Sequence, residues 1–366
     1  MNLITENLVK DHHVSILYSH YKSHEYIKTE GINYLHANDG RGLLNFCSRV
    51  MYKLNKHVES RHLEKAGGFF ESLPVRQHNH MIKELRPDLI VFNNTPYIDH
   101  QFIKAASGYK CKKICHLRLN NKESIFNQKG FRHVISRDID RFVANSHAVK
   151  ESWAGNWGIE EDKIHVLHNA VHSFDDTLSP EIVDKIRQRT NTLKVVCIGR
   201  INDEKGQEFL LDTILSQKNI LSAATFFFIG DGPITGRLKS LTESHGVNDE
   251  VVFLDYVPNA RNYLPMFDMA IVPSRCEPFG NVILEAMQAG VPVIATDQGG
   301  PAEIITDGHD GLLVPYGDQS RLLEAINLLK NDSERNESIR NNALNTFMTR
   351  FSKEEFLRNL FRIYFD

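Results

Sequence analysis

Long apolar runs are missing from this chain, and no stretch approaches the ~18–20 apolar residues that cross a bilayer. Cysteine is sparse: Cys47, Cys111, Cys115, Cys197 and Cys276 are an odd five with no C-x-x-C pair among them. Neither a disulfide framework nor a zinc site is indicated by that pattern. The opening MNLITENLVKDHH lacks the basic start and apolar stretch of a secretory signal. The expectation from these absences is a reducing cytosol, and no nucleic-acid partner is expected. A large excess of one charge is also missing, since the net charge is −3. The two halves nevertheless differ. Residues 1–172 carry 24 basic against 18 acidic side chains, and the remainder 19 against 28. Opposite signs, +6 and −9, suit two separate units. The basic half could meet anionic lipid or a charged acceptor; ordinary solvated charge explains it equally well.

What is present is a globular composition, 41% hydrophobic and 24% charged, in 366 residues. That length exceeds one ordinary core and suits two domains. Short apolar runs alternate with helical stretches throughout. The first half suggests strands at 13–19, 33–37, 89–93, 113–117, 141–145 and 164–167. The second half suggests them at 193–199, 225–229, 251–255, 269–273, 291–295 and 311–314. Runs such as VVCIG, TFFFIG and VPVIAT read as strands buried on both faces of a parallel sheet. The expected architecture is α/β, with two doubly wound domains at 1–172 and 173–366 and a linker between 172 and 192. A last amphipathic helix at 353–364 either packs on the second domain or crosses back to the first.

Two motifs carry chemistry. In V-V-C-I-G-R-I-N-D-E-K-G a strand runs into Gly199 and turns toward a helix near Gln207. Arg200 and Lys205 then stand at the carboxyl end of a strand, where open α/β sheets bind ligands, and two fixed cations suit a diphosphate. In S-R-C-E-P-F-G-N-V-I-L-E, Glu277 and Glu285 are eight residues apart around a helix start. Gly280 lets backbone approach a ligand, and the N–H groups of Phe279, Gly280 and Asn281 make an anion site. The two carboxylates face roughly one side of the helix and can hold a sugar and a ribose by their hydroxyls.

The segment from Val195 to Pro315 resembles the retaining glycosyltransferases of family 4, which have the GT-B fold of two facing Rossmann-like domains with a cleft between them. The matching motifs are G-R-x4-K-G, G-D-G-P, E-x7-E, and G-G-P-A-E followed by G-L-L-V-P. More loosely, F-V-A-N-S at 142–146 and the stretch 166–171 look like the family's strand end and linker strand, with Ala170 where glycine is usual. The resemblance implies that Gly199, Arg200 and Lys205 hold the nucleotide diphosphate and Glu285 the ribose. Glu277 and the Phe279–Asn281 amides would hold the donor sugar, and His116 in K-K-I-C-H-L-R would point at that sugar from the first half, with Arg118 nearby. It implies transfer with retention from a nucleoside-diphosphate sugar, a co-substrate, to a glycan or lipid-linked acceptor. No cofactor and no metal are then needed, because Arg200 and Lys205 offset the charge of the departing diphosphate.

Other signals are weaker. Asp138-Ile139-Asp140 is a D-x-D that precedes a strand, so helix-end carboxylates are expected rather than metal ligands. The loop Gly230-Asp231-Gly232 lacks the third glycine of a dinucleotide fingerprint at the right spacing. His57 with His62, and His78 with His80, are expected on solvated faces. A basic stretch with Arg49, Lys53, Lys56, Arg61 and Lys65 allows peripheral contact with the inner face of a membrane, or a solvated helix face. A sugar-nucleotide epimerase and a nucleotide-sugar-binding protein without turnover stand as competing readings. The opening stretch resembles the end of the family's first helix and its second strand, so the usual first strand and glycine-rich loop are expected upstream of Met1.

Overall fold

The computed structural model describes residues 14–18, 32–36, 78–93 apart from 81 and 85, 100–120, 135–189 apart from 176, and 193–366. The chain packs as two compact units. One comprises Met1–Val143 with Ala154–His165, the other Ala144–Trp153 with Val166–Asp366.

In the first half, β1 (Val14–Tyr18) pairs in parallel with β2 (Ile32–His36). Next, β3 (Leu89–Phe92), β4 (Lys112–Leu117), β5 (Arg141–Ala144) and β6 (Ile164–Val166) form a four-stranded sheet in that order. The six strands expected from the sequence are present, but among the described residues they make two sheets rather than one. The D-x-D is structural: Asp138 binds Arg137 and Ser107, and Asp140 accepts the Lys113 N–H at 2.7 Å, fixing the start of β4. His78 departs from expectation. It is buried and stacks on Phe102 at 3.8 Å, whereas His80 is exposed beside Glu84. The reason is helical spacing: His78 shares the inward face with buried Ile82, four residues on. His57, His62 and the basic stretch from Arg49 to Lys65 lie outside the described residues.

The second half holds β7 (Leu193–Ile198), β8 (Ala224–Ile229), β9 (Val251–Phe253), β10 (Met269–Val272), β11 (Val293–Thr296) and β12 (Leu312–Val314). They form one parallel sheet in the order β12-β11-β10-β7-β8-β9. Alternate side chains bury on opposite faces, as the two-residue period of a strand requires. Val196, Phe227, Ile229, Ala270 and Val272 pack on one side; Val195, Cys197, Phe226, Phe228 and Ile271 pack on the other. This is why TFFFIG shows no polar alternation: every residue of β8 is buried. Chain direction reverses its progress across the sheet between β7 and β10, the switch point where doubly wound sheets open a crevice at their carboxyl ends.

The stretch 172–192 contains a helix, Pro180–Arg187, entered through Ser179 with proline in its first turn, and its Ile186 is fully buried. The final helix, Lys353–Phe365, is capped by Ser352 and buries Phe356, Leu360, Ile363 and Tyr364. Among the described residues no helix is long and apolar enough to cross a membrane.

Candidate active site

The switch point brings together the loops that leave β7 and β10. The Arg275 N–H donates to the Glu204 carbonyl at 2.8 Å, tying the loops together. Gly206 marks their closest approach. Its φ is +69°, and a Cβ there would lie 1.9 Å from the Pro273 carbonyl oxygen, so only glycine fits.

Across this junction Lys205 Nζ lies 2.6 Å from Glu277 Oε2, and the Ser274 hydroxyl donates to the same oxygen at 3.0 Å. Glu277 is buried, at 7% exposure, and such a charge needs partners of this kind. Its backbone is fixed as well: the Gly300 N–H donates to the Glu277 carbonyl at 2.9 Å. Arg200 is exposed, and its carbonyl accepts the buried Gln207 side chain at 3.0 Å, which shapes the turn beneath it. Behind it, Asp231 accepts Gly232 N–H at 2.7 Å and Thr235 hydroxyl at 2.9 Å, so the G-D-G turn closes on itself.

Pro278, buried Phe279 and Gly280 then lead into the helix Asn281–Gln288. Gly280 is the N-cap at φ +109°, and no side chain caps the helix. The N–H groups at its start therefore form a positively polarised end that suits an anion. Asn281 is exposed, and its side-chain oxygen accepts Asn169 Nδ2 at 2.9 Å. Glu285 follows one turn on, half-buried. Burial pushes its carboxyl up to about 7, opposed by the charge of Arg261 on the 3-10 helix Ala260–Met266.

Eight of the nine residues singled out from sequence, Gly199, Arg200, Lys205, Glu277, Phe279, Gly280, Asn281 and Glu285, thus lie on these two loops and the helix that follows. His116 lies in the first unit, buried on β4. Burial, and then the charge of Arg118, push its imidazole down to about 3, so it is neutral near pH 7. Arg118 donates to Asn93 Oδ1 at 2.5 Å. Sequence reasoning missed Ser274 and Arg261. It quoted Ser146 and the G-G-P-A-E loop as motifs without giving either a role. Ser274 was findable, because it stands three residues before Glu277 at a strand end; nothing around Arg261 signals its position.

The arrangement offers an exposed cation, a part-buried Lys–Glu pair, an uncapped helix start and a carboxylate poised near neutrality. Known proteins resemble the chain along most of its length. The model described as Glycosyltransferase Family 4 matches residues 4–173, and that described as Glycosyl transferases group 1 matches 179–346. The lipopolysaccharide core biosynthesis glycosyltransferase LpsD of Rhizobium meliloti (strain 1021) is 34% identical over 160 residues, 44% of this chain and 46% of that protein. N-acetyl-alpha-D-glucosaminyl L-malate synthase of Bacillus anthracis is 35% identical over 144 residues, 39% of this chain and 38% of that protein. Such matches span less than two thirds of the relatives' lengths. Among solved structures, a glycosyltransferase from Rickettsia africae ESF-5 superposes with a TM-score of 0.77 at 20% identity, covering 99% of this chain and 92% of that one. Anabaena Alr3699/HepE in complex with UDP superposes with a TM-score of 0.68 at 22% identity, covering 90% and 85%. The motifs, the sheet order and these matches agree, and the chain belongs to glycosyltransferase family 4, with the GT-B fold.

Proposed function

We propose that this protein transfers a sugar from a nucleoside-diphosphate sugar to a glycan or lipid-linked acceptor, with retention and without a metal. The observation that carries the reading is the convergence at the β7–β10 switch point of Arg200, the Lys205–Glu277 pair, the uncapped helix start at Gly280 and Glu285. Arg200 and Lys205 meet the diphosphate, and their charge offsets the negative charge that grows on it as the glycosidic bond breaks. The backbone N–H groups at Phe279–Asn281 and the Glu277 carboxylate hold the donor sugar. Glu285 accepts hydrogen bonds from the ribose hydroxyls. His116 in the first unit, uncharged near pH 7, has the chemistry of a hydrogen-bonding group rather than of a cation.

HepE, a structural neighbour, is described in complex with UDP and with UDP-glucose, which supports a nucleotide sugar as the donor. Two relatives named for lipopolysaccharide core biosynthesis support a place in cell-surface polysaccharide synthesis. The test has two steps. A panel of nucleoside-diphosphate sugars is first screened by thermal shift, where a bound donor raises the melting temperature. The donor so found is then incubated with candidate acceptors. Acceptor-dependent release of nucleoside diphosphate supports the proposal; binding without release refutes transfer.

A further inference from the structure

The donor loop from Glu277 to Asn281 is held from outside by residues to which the proposed chemistry gives no role. The Ser146 hydroxyl donates to the Pro278 carbonyl at 2.6 Å and accepts the Val149 N–H at 3.0 Å. The His168 ring stacks on Phe279 with centroids 5.6 Å apart. Asn169 binds the Asn281 side chain, and the Gly300 N–H binds the Glu277 carbonyl. Gly300 also lies so close that a Cβ there would sit 2.2 Å from the Phe279 Cα.

One carboxylate joins these supports. Glu303 is on the short helix Pro301–Ile304 that begins directly after Gly300. Its two oxygens accept the backbone N–H groups of His147 at 2.7 Å and Ala148 at 2.8 Å. Its Oε2 also lies 3.2 Å from His168 Nε2. Burial alone would raise this carboxyl. The hydrogen bonds from His168 and the two amides outweigh burial and hold it below the usual carboxylate range. His147, His168 and Glu303 have ligand atoms within 4.8 Å of one another, the spacing of a metal site. Both Glu303 oxygens, however, already cap the positive end of the helix His147–Trp157, which favours an anion over a cation there.

We infer that Glu303 is a positioning residue for the donor site. It clamps the segment Ser146–Ala148 and the His168 ring, and through them fixes the backbone of Pro278 and the ring of Phe279. This inference rests on the proposed donor-binding role of that loop. A carboxylate is required, because two parallel N–H donors face it. A glutamine would turn an NH2 toward one of them and lose that bond.

The experiment titrates UDP-glucose into the full chain by calorimetry, comparing wild type with Glu303→Gln, Ser146→Ala, Ser146→Thr and the Glu303→Gln/Ser146→Ala double variant. Glu303→Gln and Ser146→Ala are each expected to raise the dissociation constant about ten-fold. Ser146→Thr keeps the hydroxyl and is expected to stay within about two-fold of wild type. The double variant is expected to lose little more than the weaker single one, because both act on one path. Unchanged affinity in Glu303→Gln, or fully additive losses, overturns the inference. If Glu303→Gln does not fold, the Ser146 pair decides: equal weakening by Ala and Thr overturns it. Absence of binding by wild type to UDP-glucose and to the other nucleotide sugars of the panel would instead remove the functional reading beneath it.

Discussion

Glu285 should weaken the fold and strengthen donor binding at the same pH, and the two effects can be separated. Its carboxyl is raised from 4.5 to about 7 by burial, with Arg261 opposing. In the unfolded chain it ionises near its ordinary value. Between these limits the folded state holds a proton that the unfolded state has released. The stability contributed by the protonated group is therefore complete at acid pH and is lost as pH rises through about 7. At pH 8 the ionised, buried carboxylate costs at most roughly 3 kcal/mol. Glu285→Gln cannot ionise, so it should raise the melting temperature at pH 8 and have little effect near pH 4.5. Binding should run the other way. A carboxylate that accepts two ribose hydroxyls must be ionised, and its ionised fraction falls from about nine-tenths at pH 8 to about one-tenth at pH 6. The apparent dissociation constant for UDP-glucose should then rise about ten-fold, or ~1.4 kcal/mol, across that range. The diphosphate of UDP-glucose does not titrate there, so the slope belongs to the protein. Glu285→Gln should flatten the slope and weaken binding at pH 8 by about 1–3 kcal/mol. Calorimetric titrations at pH 6, 7 and 8, with melting curves at pH 4.5 and 8, measure both effects. A flat wild-type binding profile, or the same slope in the Gln variant, would refute the reasoning.

Other outcomes follow from the site and the core. Arg200→Ala and Lys205→Ala should each lower kcat more than they weaken donor binding, because diphosphate charge grows toward the transition state; single-turnover kinetics with a matched donor and acceptor would show it. Activity should survive exhaustive treatment with a chelator, and loss restored by manganese would contradict the metal-free scheme. Gly280→Ala should cost about 1–3 kcal/mol in donor binding or stability, since alanine resists φ +109° and its Cβ would meet Ile283 Cδ1 at 2.8 Å; calorimetry and melting curves distinguish the two. Phe227→Ala, in the fully buried face of β8, should destabilise the second unit by about 3–5 kcal/mol in denaturant unfolding.

The fold was legible where burial erased polar alternation. LKVVCI, ATFFFI, MAIV and VIAT are apolar because helices cover both faces of their sheet, and each became a strand within a residue or two of its expected bounds. Their lateral order was not written in any of them. That order depends on which edges pair, and local sequence carries no record of a partner seventy residues away. The same divide runs through the site. Arg200, Lys205, Glu277 and Glu285 could be named because strand ends and a helix start confine them to short motifs. The 2.6 Å contact between Lys205 and Glu277 could not, because it joins residues 72 apart across the switch point. Nor could the charge of Arg261 beside Glu285, which arises from a 3-10 turn in ARNYLPM with no periodic signature. His78 is an instructive middle case. Its pairing with Ile82 at helical spacing was readable, yet without the supporting acids of a metal site a solvated face was the expectation, and the ring instead packs flat on Phe102. Motifs of one loop and one helix therefore identify which groups meet a ligand. The groups that set the charge and aim of those residues from a distance, Arg261 and Glu303, come from other segments of the chain. Their roles follow only once the sheet order brings those segments together.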